Sequence, residues 1–191
     1  MEVSVCVVGG GIGGLTAALS LFRRGFDVQV YEQAAALGEV GAGVQVSPNA
    51  SRVLHRLGLA EELATTGVKP VAWHQRRWDD GRTLLRSPLA EPLEATFGFP
   101  HYQMHRADLL AALAGALPAE RVYLGHRLTG LTDRGDRVEA RFANGASVEA
   151  AGSTDWSFDA VAWLYNHDAT VVDPLPDLAA TQPKPASSPG S

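Results

Sequence analysis

Three glycines and one acid carry the chemistry most readily read from this chain. Gly9, Gly11 and Gly14 stand as Gly-x-Gly-x-x-Gly in the run Val-Val-Gly-Gly-Gly-Ile-Gly-Gly, residues 7–14, and Glu32 follows Gly14 by 18 residues. In that pattern the first glycine permits a tight turn and the second lets the backbone approach a pyrophosphate. The third lets a helix pack closely on a strand. A helix that opens at such a turn directs unpaired N–H groups and a partial positive charge at phosphates. The carboxylate of Glu32 can accept hydrogen bonds from ribose hydroxyls. Capture of a dinucleotide by its adenosine half is the chemistry these residues suit; a purely structural glycine turn is the alternative.

The surrounding segments supply the required frame. Residues 3–8 form a nearly continuous apolar run, as expected for a strand covered on both faces. Residues 15–24 are good helix formers, and Gly25 stands where a left-handed cap belongs. Val28 and Val30 flank Gln29 in a second strand that Glu32 closes, and a glycine-rich loop, residues 38–43, follows. Ser47-Pro48-Asn49 opens a helix with Val53, Leu54 and Leu57 on one stripe, stopped at Gly58. A short amphipathic segment covers 60–65.

From Val71 the apolar period changes to two. Residues 71–78 and 82–86 flank Asp80-Gly81, a hairpin signal. Residues 87–100, with Pro88, Pro92 and Pro100, read as loop. Leu109, Leu110, Leu113 and Leu117 give residues 105–117 one buried helical face. Strands over 121–124, 127–132, 137–142 and 147–150, the last pair joined by Asn144-Gly145, read as a β-meander. The expected fold class is α/β: a Rossmann-like βαβ unit with a β-meander and a remnant hairpin. Residues 1–150 form the expected binding domain, with 71–100 as a partial substrate-domain hairpin. A short aromatic segment, 151–181, contains Trp156, Phe158, Trp163 and Tyr165 and is expected to pack as a small satellite core. The Pro- and Ser-rich end, 182–191, is an expected disordered tail.

Composition narrows the function classes. Of 191 residues, 46% are hydrophobic and 19% charged, ordinary values for a globular protein. The net charge of −5 gives no basic footprint, so nucleic acid is not an expected partner. No apolar run approaches the roughly 20 residues of a bilayer span, and the N-terminus lacks the basic region of a signal peptide. The single cysteine, Cys6, sits among apolar residues of the first strand, where it reads as a small hydrophobe rather than a nucleophile. A cytoplasmic, reducing location is expected. Among the six histidines, His55 and His126 read as surface or edge positions and His74 as part of the hairpin. His101 and His105 lie four apart, but the loop around Pro100 makes a shared helical face, and so a metal site, an unfavoured reading.

Four segments together resemble the single-component FAD-dependent aromatic hydroxylases, the salicylate hydroxylase and 6-hydroxynicotinate 3-monooxygenase group. They are Gly9-Gly10-Gly11-Ile12-Gly13-Gly14-Leu15, Val30-Tyr31-Glu32-Gln33, the run Gly41-Ala42-Gly43-Val44-Gln45-Val46-Ser47-Pro48-Asn49-Ala50, and His105-Arg106-Ala107-Asp108-Leu109-Leu110. The resemblance covers residues 1 to about 150. It implies that Gly13 lies in the phosphate turn and that Glu32 with Gln33 meets the adenosine ribose of FAD. Gln45, in the loop after Gly43, would lie near the flavin, Arg106 would reach the cofactor from a helix start, and Leu128 would offer backbone contact near the adenine. A planar guanidinium at Arg106 also suits a pyrophosphate or ribitol on its own chemistry; a surface position beside Asp108 is the bland alternative. Some relatives carry a histidine at the position of Gln45 as a candidate base, a role a glutamine side chain cannot take. No catalytic residue is assigned.

In complete members of the resembled group, NAD(P)H reduces FAD and one oxygen atom of O2 enters a small aromatic substrate. This chain lacks the Asp-Gly motif and the Gly-Asp-Ala-Ala-His motif those members carry, and after Ala150 it passes to a segment similar to the family's extreme C-terminal end. The expectation is a family member without its central portion, whether by nature, by engineering or by error. It would leave Trp73 and Trp78 uncovered and expose an edge of the parallel sheet through which two copies could pair. Three functions remain open on sequence: a hydroxylase, a catalytically incomplete FAD- or nucleotide-binding remnant, and an NAD-dependent dehydrogenase. Residues 41–50 and Arg106 weigh against the last.

Overall fold

The computed structural model describes residues 4–38 and 43–151. The expectations for 151–181 and for 182–191 fall, apart from Ala151, outside the described residues.

β1 (Ser4–Val8) leads through the glycine turn into α1 (Ile12–Phe22) and then β2 (Asp27–Tyr31). β1 and β2 pair in parallel, Ser4 opposite Asp27 through Val8 opposite Tyr31. The helix begins at Ile12, three residues before the expected start, because Gly13 and Gly14 continue the helical backbone. Gly25, at φ 86°, closes the turn after it, and the Phe26 N–H reaches back to the Leu21 carbonyl.

β3 (Gly43–Val46) follows, then α2 (Pro48–Arg56), with proline in its first turn where no N–H is needed, and α3 (Ala60–Thr66). The hairpin comprises β4 (Ala72–Arg76) and β5 (Thr83–Pro88), with Gly81 in the left-handed region at its turn. α4 (Ala90–Phe97) corrects the expected loop over 87–100. Pro92 stands in the first turn of α4, where a missing N–H costs no helical bond, and Gly98 at φ 74° ends it. Pro88 and Pro100 therefore bracket a helix that Pro92 does not interrupt.

β6 (Tyr102–His105) was not expected; it pairs antiparallel with β3 and runs directly into α5 (Arg106–Gly115). β7 (Val122–Tyr123) corrects the meander expectation. It adds to β2 in parallel, so the first sheet runs β1-β2-β7. Val122 packs against the main core and the Glu32 N–H donates to the Tyr123 carbonyl at 2.8 Å, contacts a meander strand could not make. The meander is three strands, β8 (Leu128–Asp133), β9 (Arg137–Phe142) and β10 (Ser147–Ala151), turned by Gly145 between the last two.

One apolar core joins α1, β2, α3, β6 and α5 through Leu15, Leu19, Val28, Val30, Leu63, Tyr102 and Leu113. Burying side chains of this size contributes about 1.5–3 kcal/mol each. A second, smaller core holds Tyr31, Ala140 and Phe142, with Leu128 and Val148 packed on it. Tyr31 lies between Tyr123 and Phe142, with ring centroids 4.9 and 4.8 Å away, and this stack fastens the meander to the parallel sheet. The hairpin, by contrast, is exposed along nearly its whole length.

Candidate functional site

The glycine turn shows three separate backbone demands. Gly9 has φ 111°, a conformation L side chains rarely adopt, and its N–H donates to the Tyr31 carbonyl at 2.8 Å. A Cβ at Gly14 would lie 2.0 Å from the Gly9 carbonyl oxygen, so helix and turn touch there. A Cβ at Gly11 would meet nothing within 4 Å. Gly11 is therefore glycine without any steric need inside the protein, which fits a backbone kept bare for a ligand. Gly11 is also the N-cap of α1, no side chain caps that end, and no acid occupies its first turn. The first N–H groups of α1, Gly13 among them, lie where the helix has no carbonyl to offer them.

Glu32 binds the turn from the strand side. Its carboxylate accepts the Gly10 N–H at 2.5 Å and the Ala34 N–H at 2.8 Å. Two oxygens offer about four acceptor positions, so capacity remains for ribose hydroxyls. A Cβ at Gly10 would lie 2.9 Å from the Glu32 Cβ, which is why a glycine stands there as well. The main chain after β7 runs beside Glu32: the His126 N–H donates to the Glu32 carbonyl at 2.8 Å and the Gly125 N–H to the Ala34 carbonyl at 2.9 Å. Leu128 follows two residues later at the start of β8, opposite Phe142. Gln33 is exposed just past Glu32. Glycine turn, Glu32, Gln33 and the approach to Leu128 thus form one group.

Gly43, Gln45 and Arg106 form a second. Gln45 lies in a strand, correcting the loop expected there: β3 and β6 make a two-stranded ribbon in which Gly43 opposes His105 and Gln45 opposes Gln103. Val46, Tyr102 and Met104 face the core, while Gln45, Gln103 and His105 are exposed. Arg106 opens α5 immediately after this ribbon and is half-buried. Leu37 packs beside the turn, its Cδ2 3.1 Å from where a Cβ at Gly10 would lie. Gly38 and Gly43 are five residues apart, a span of at most about 18 Å.

The electrostatics remove several side chains from proton chemistry. Burial raises the Cys6 thiol to about 11, so it stays protonated near neutral pH, in keeping with a small hydrophobe. Burial, with Cys6 and Tyr123 nearby, raises Tyr31 to about 12. His101 is lowered by burial, and His55 by burial and then by Lys69, so both favour the neutral ring. His55 is not a plain surface residue: it meets Phe99 edge-on at 5.5 Å and lies 6.2 Å from Tyr102. His126 packs edge-on against Tyr31 and Phe142. Sequence reasoning passed over Gln103 and the burial of His101; the alternation of Tyr102-Gln103-Met104-His105 is the signal that could have found the strand.

A parallel βαβ unit with a glycine turn, an open helix N-terminus and an acid closing the second strand defines a dinucleotide-binding protein. The sequence profile of the FAD binding domain matches residues 2–152, and the chain belongs to that family. It is 44% identical to 3-amino-4-hydroxybenzoate 2-monooxygenase of Streptomyces cremeus over 149 residues, 78% of this chain and 38% of that protein. It is 39% identical to 6-hydroxynicotinate 3-monooxygenase of Pseudomonas fluorescens over 146 residues, 76% of this chain and 38% of that one. Among solved structures, Klebsiella pneumoniae HpxO complexed with FAD and uric acid is similar at a TM-score of 0.71 and 28% identity, covering 78% of this chain and 37% of its own. The chain spans about 38% of the length of the relatives it matches, so it is a partial counterpart of these monooxygenases. FAD is the cofactor of the family, and the bare backbone at Gly11 and the spare acceptor positions of Glu32 fit it. Among the described residues no helix is long and apolar enough to cross a membrane.

Proposed function

We propose that this chain is the FAD-holding portion of a flavoprotein aromatic hydroxylase. In this reading the N–H groups at the start of α1, from Gly11 through Gly14, receive the pyrophosphate, and Gly9 holds the turn that aims them. Glu32 and Gln33 take the adenosine ribose, and the backbone at Leu128 lies beside the adenine. Gly43, Gln45 and Arg106 meet the flavin end, with Arg106 supplying a planar cation. Bound FAD would supply the redox chemistry: electrons taken from NAD(P)H and passed to O2, so that one oxygen atom enters an aromatic ring. The protein's share is to bind, to orient and to keep water away. The open space at Gly11, set against the filled space at Gly14, is the observation that carries the reading. A cytoplasmic location suits the single thiol of Cys6, and the domain is read as residues 1–150 with 71–100 as its partial substrate-domain hairpin.

A second reading, a flavin-binding module without turnover of its own, is favoured by the share of the relatives' length that is present and by the exposed hairpin. In β1-β2-β7, β1 has one hydrogen-bonded neighbour among the described residues, which leaves an edge for a homodimer. Purified protein that is yellow and oxidises NADH with hydroxylation of 3-amino-4-hydroxybenzoate, 6-hydroxynicotinate or 3-hydroxybenzoate would establish the first reading. Yellow protein with no such turnover would establish the second. Well-folded protein that takes up no flavin would refute both.

A further inference from the structure

The hairpin has two faces of opposite character, and neither is taken up by the fold. Register sets Trp73 opposite Ser87 and Gln75 opposite Leu85, so these four share one face, which bears no charge. His74 opposite Arg86 and Arg76 opposite Thr83 form the other face, where the His74 Nε2 and the Thr83 hydroxyl lie 2.7 Å apart. β4 and β5 have only each other as hydrogen-bonded neighbours among the described residues, and neither gives a side chain to the two cores. Yet apolar exposure gathers here: of nine large hydrophobic residues exposed among those described, seven lie between Val68 and Phe97. Trp73, Trp78 and Phe97 are 46%, 95% and 59% exposed. At about 150–250 Å² for each such side chain, they alone leave about 300–500 Å² of apolar surface. One partner gives about 800 Å² to a standard interface, and Val68, Val71, Leu84 and Leu85 supply much of the difference.

We propose that the uncharged face of the hairpin, centred on Trp73 and Leu85, is the contact surface for a second copy of this chain, packed face to face about a two-fold axis. A two-fold contact sets one patch against itself, so a patch of one sign meets its own sign. The face of Trp73 and Leu85 has no charge to repel, whereas Arg76 and Arg86 would set cations against cations on the other. A partner of opposite charge would be drawn to that second face and not to the first. A two-stranded hairpin is marginally stable in water unless something packs on it, and neither core supplies that packing. Two hairpins laid on each other stack as two sheets about 10 Å apart, with Trp73 and Leu85 of both copies between them. This contact is distinct from pairing at the free edge of β1, and it does not depend on how the glycine turn is read.

The test is sedimentation equilibrium of the full chain and of three variants, with a monomer–dimer equilibrium expected for the wild type. Trp73→Ser combined with Leu85→Ser should raise the dimer dissociation constant about thirty-fold or more, the effect of losing a single hot-spot residue. Leu85→Arg, which sets like charges against each other across the axis, should weaken the dimer similarly without removing a tryptophan. Arg76→Ser combined with Arg86→Ser, on the opposite face, should leave it within about three-fold. Raising sodium chloride from about 0.05 to about 0.5 M should not dissociate the dimer, because an apolar contact has no ion pairs to screen. A chain that stays monomeric at every concentration would overturn the inference, as would a dimer that the first two variants leave intact. Disruption by salt or by the arginine pair would overturn it too. So would a monomer whose β4 and β5 amides are protected from hydrogen exchange, since the face would then be covered from within the chain.

Discussion

Gly11 and Gly14 are the same residue type three positions apart, and the structure gives them opposite reasons to be glycine. A methyl group at Gly14 would strike the Gly9 carbonyl oxygen, whereas at Gly11 it would enter open space. Gly14→Ala should therefore lower stability by about 1–3 kcal/mol, the range of an overpacked contact, and lower Tm by roughly 2–4 °C per kcal/mol. Gly11→Val should cost only the poorer helix capping of valine, about 1 kcal/mol or roughly 2–4 °C in Tm, and yet abolish FAD uptake. Thermal melts and flavin absorbance on the two variants check both statements; a Gly11→Val protein that binds flavin normally would remove Gly11 from the phosphate site. His101 and His55 make a second residue-scale prediction. Both are held below their ordinary value in the folded chain, so the unfolded chain binds more protons, and stability rises with pH. Their contribution is fully present above about pH 6.5, the ordinary imidazole value, and is lost as pH falls from there through the folded-state values. Urea midpoints measured at pH 7.5 and 5.5 should differ in that direction, and His101→Gln should narrow the difference; a midpoint independent of pH across this window would contradict it.

The elements divide into those with local signals and those that tertiary contacts decide. The βαβ unit was legible because an apolar run, a glycine turn and an alternating strand each have their own period, and the helices over Pro48–Arg56 and Arg106–Gly115 because their apolar residues share one face. α4 was hidden by prolines whose effect depends on position within a turn, which composition does not reveal. β7 reads as any short strand until the edge of β2 captures it, and no local pattern specifies that partner. Of the candidate site, the glycine turn and Glu32 were visible as types at spacings. The ribbon that places Gln45 beside Gln103 was not, because its register joins residues 58 positions apart. The hairpin supplies the prediction at this scale. Trp78 is 95% exposed, and Trp73, Leu84 and Leu85 of the hairpin strands are exposed as well, apolar groups of the kind that drive association. Trp78→Ser combined with Leu84→Ser should reduce the concentration dependence of sedimentation, and an unchanged profile would place self-association elsewhere, with the edge of β1 next in line.

At the scale of the whole molecule, a single core joins the nucleotide turn to α5 and the β3–β6 ribbon, so both halves of the candidate site rest on one rigid support. The meander is fastened to the same sheet by the Tyr31 stack and by the backbone bonds around Glu32. Site and scaffold adjoin there, since Glu32 directly follows Tyr31, the last residue of β2. Among the described residues the hairpin and α4 contribute no side chain to either core. The central claim is that the turn at Gly9–Gly14 and the carboxylate of Glu32 grip the AMP half of FAD. Equilibrium dialysis of the folded full chain against ADP and against FAD tests it most directly. Saturable uptake of one nucleotide per chain, weakened about ten-fold or more for both ligands by Glu32→Ala as expected for lost charge-assisted hydrogen bonds, is the predicted result. A folded sample that retains neither nucleotide would contradict it.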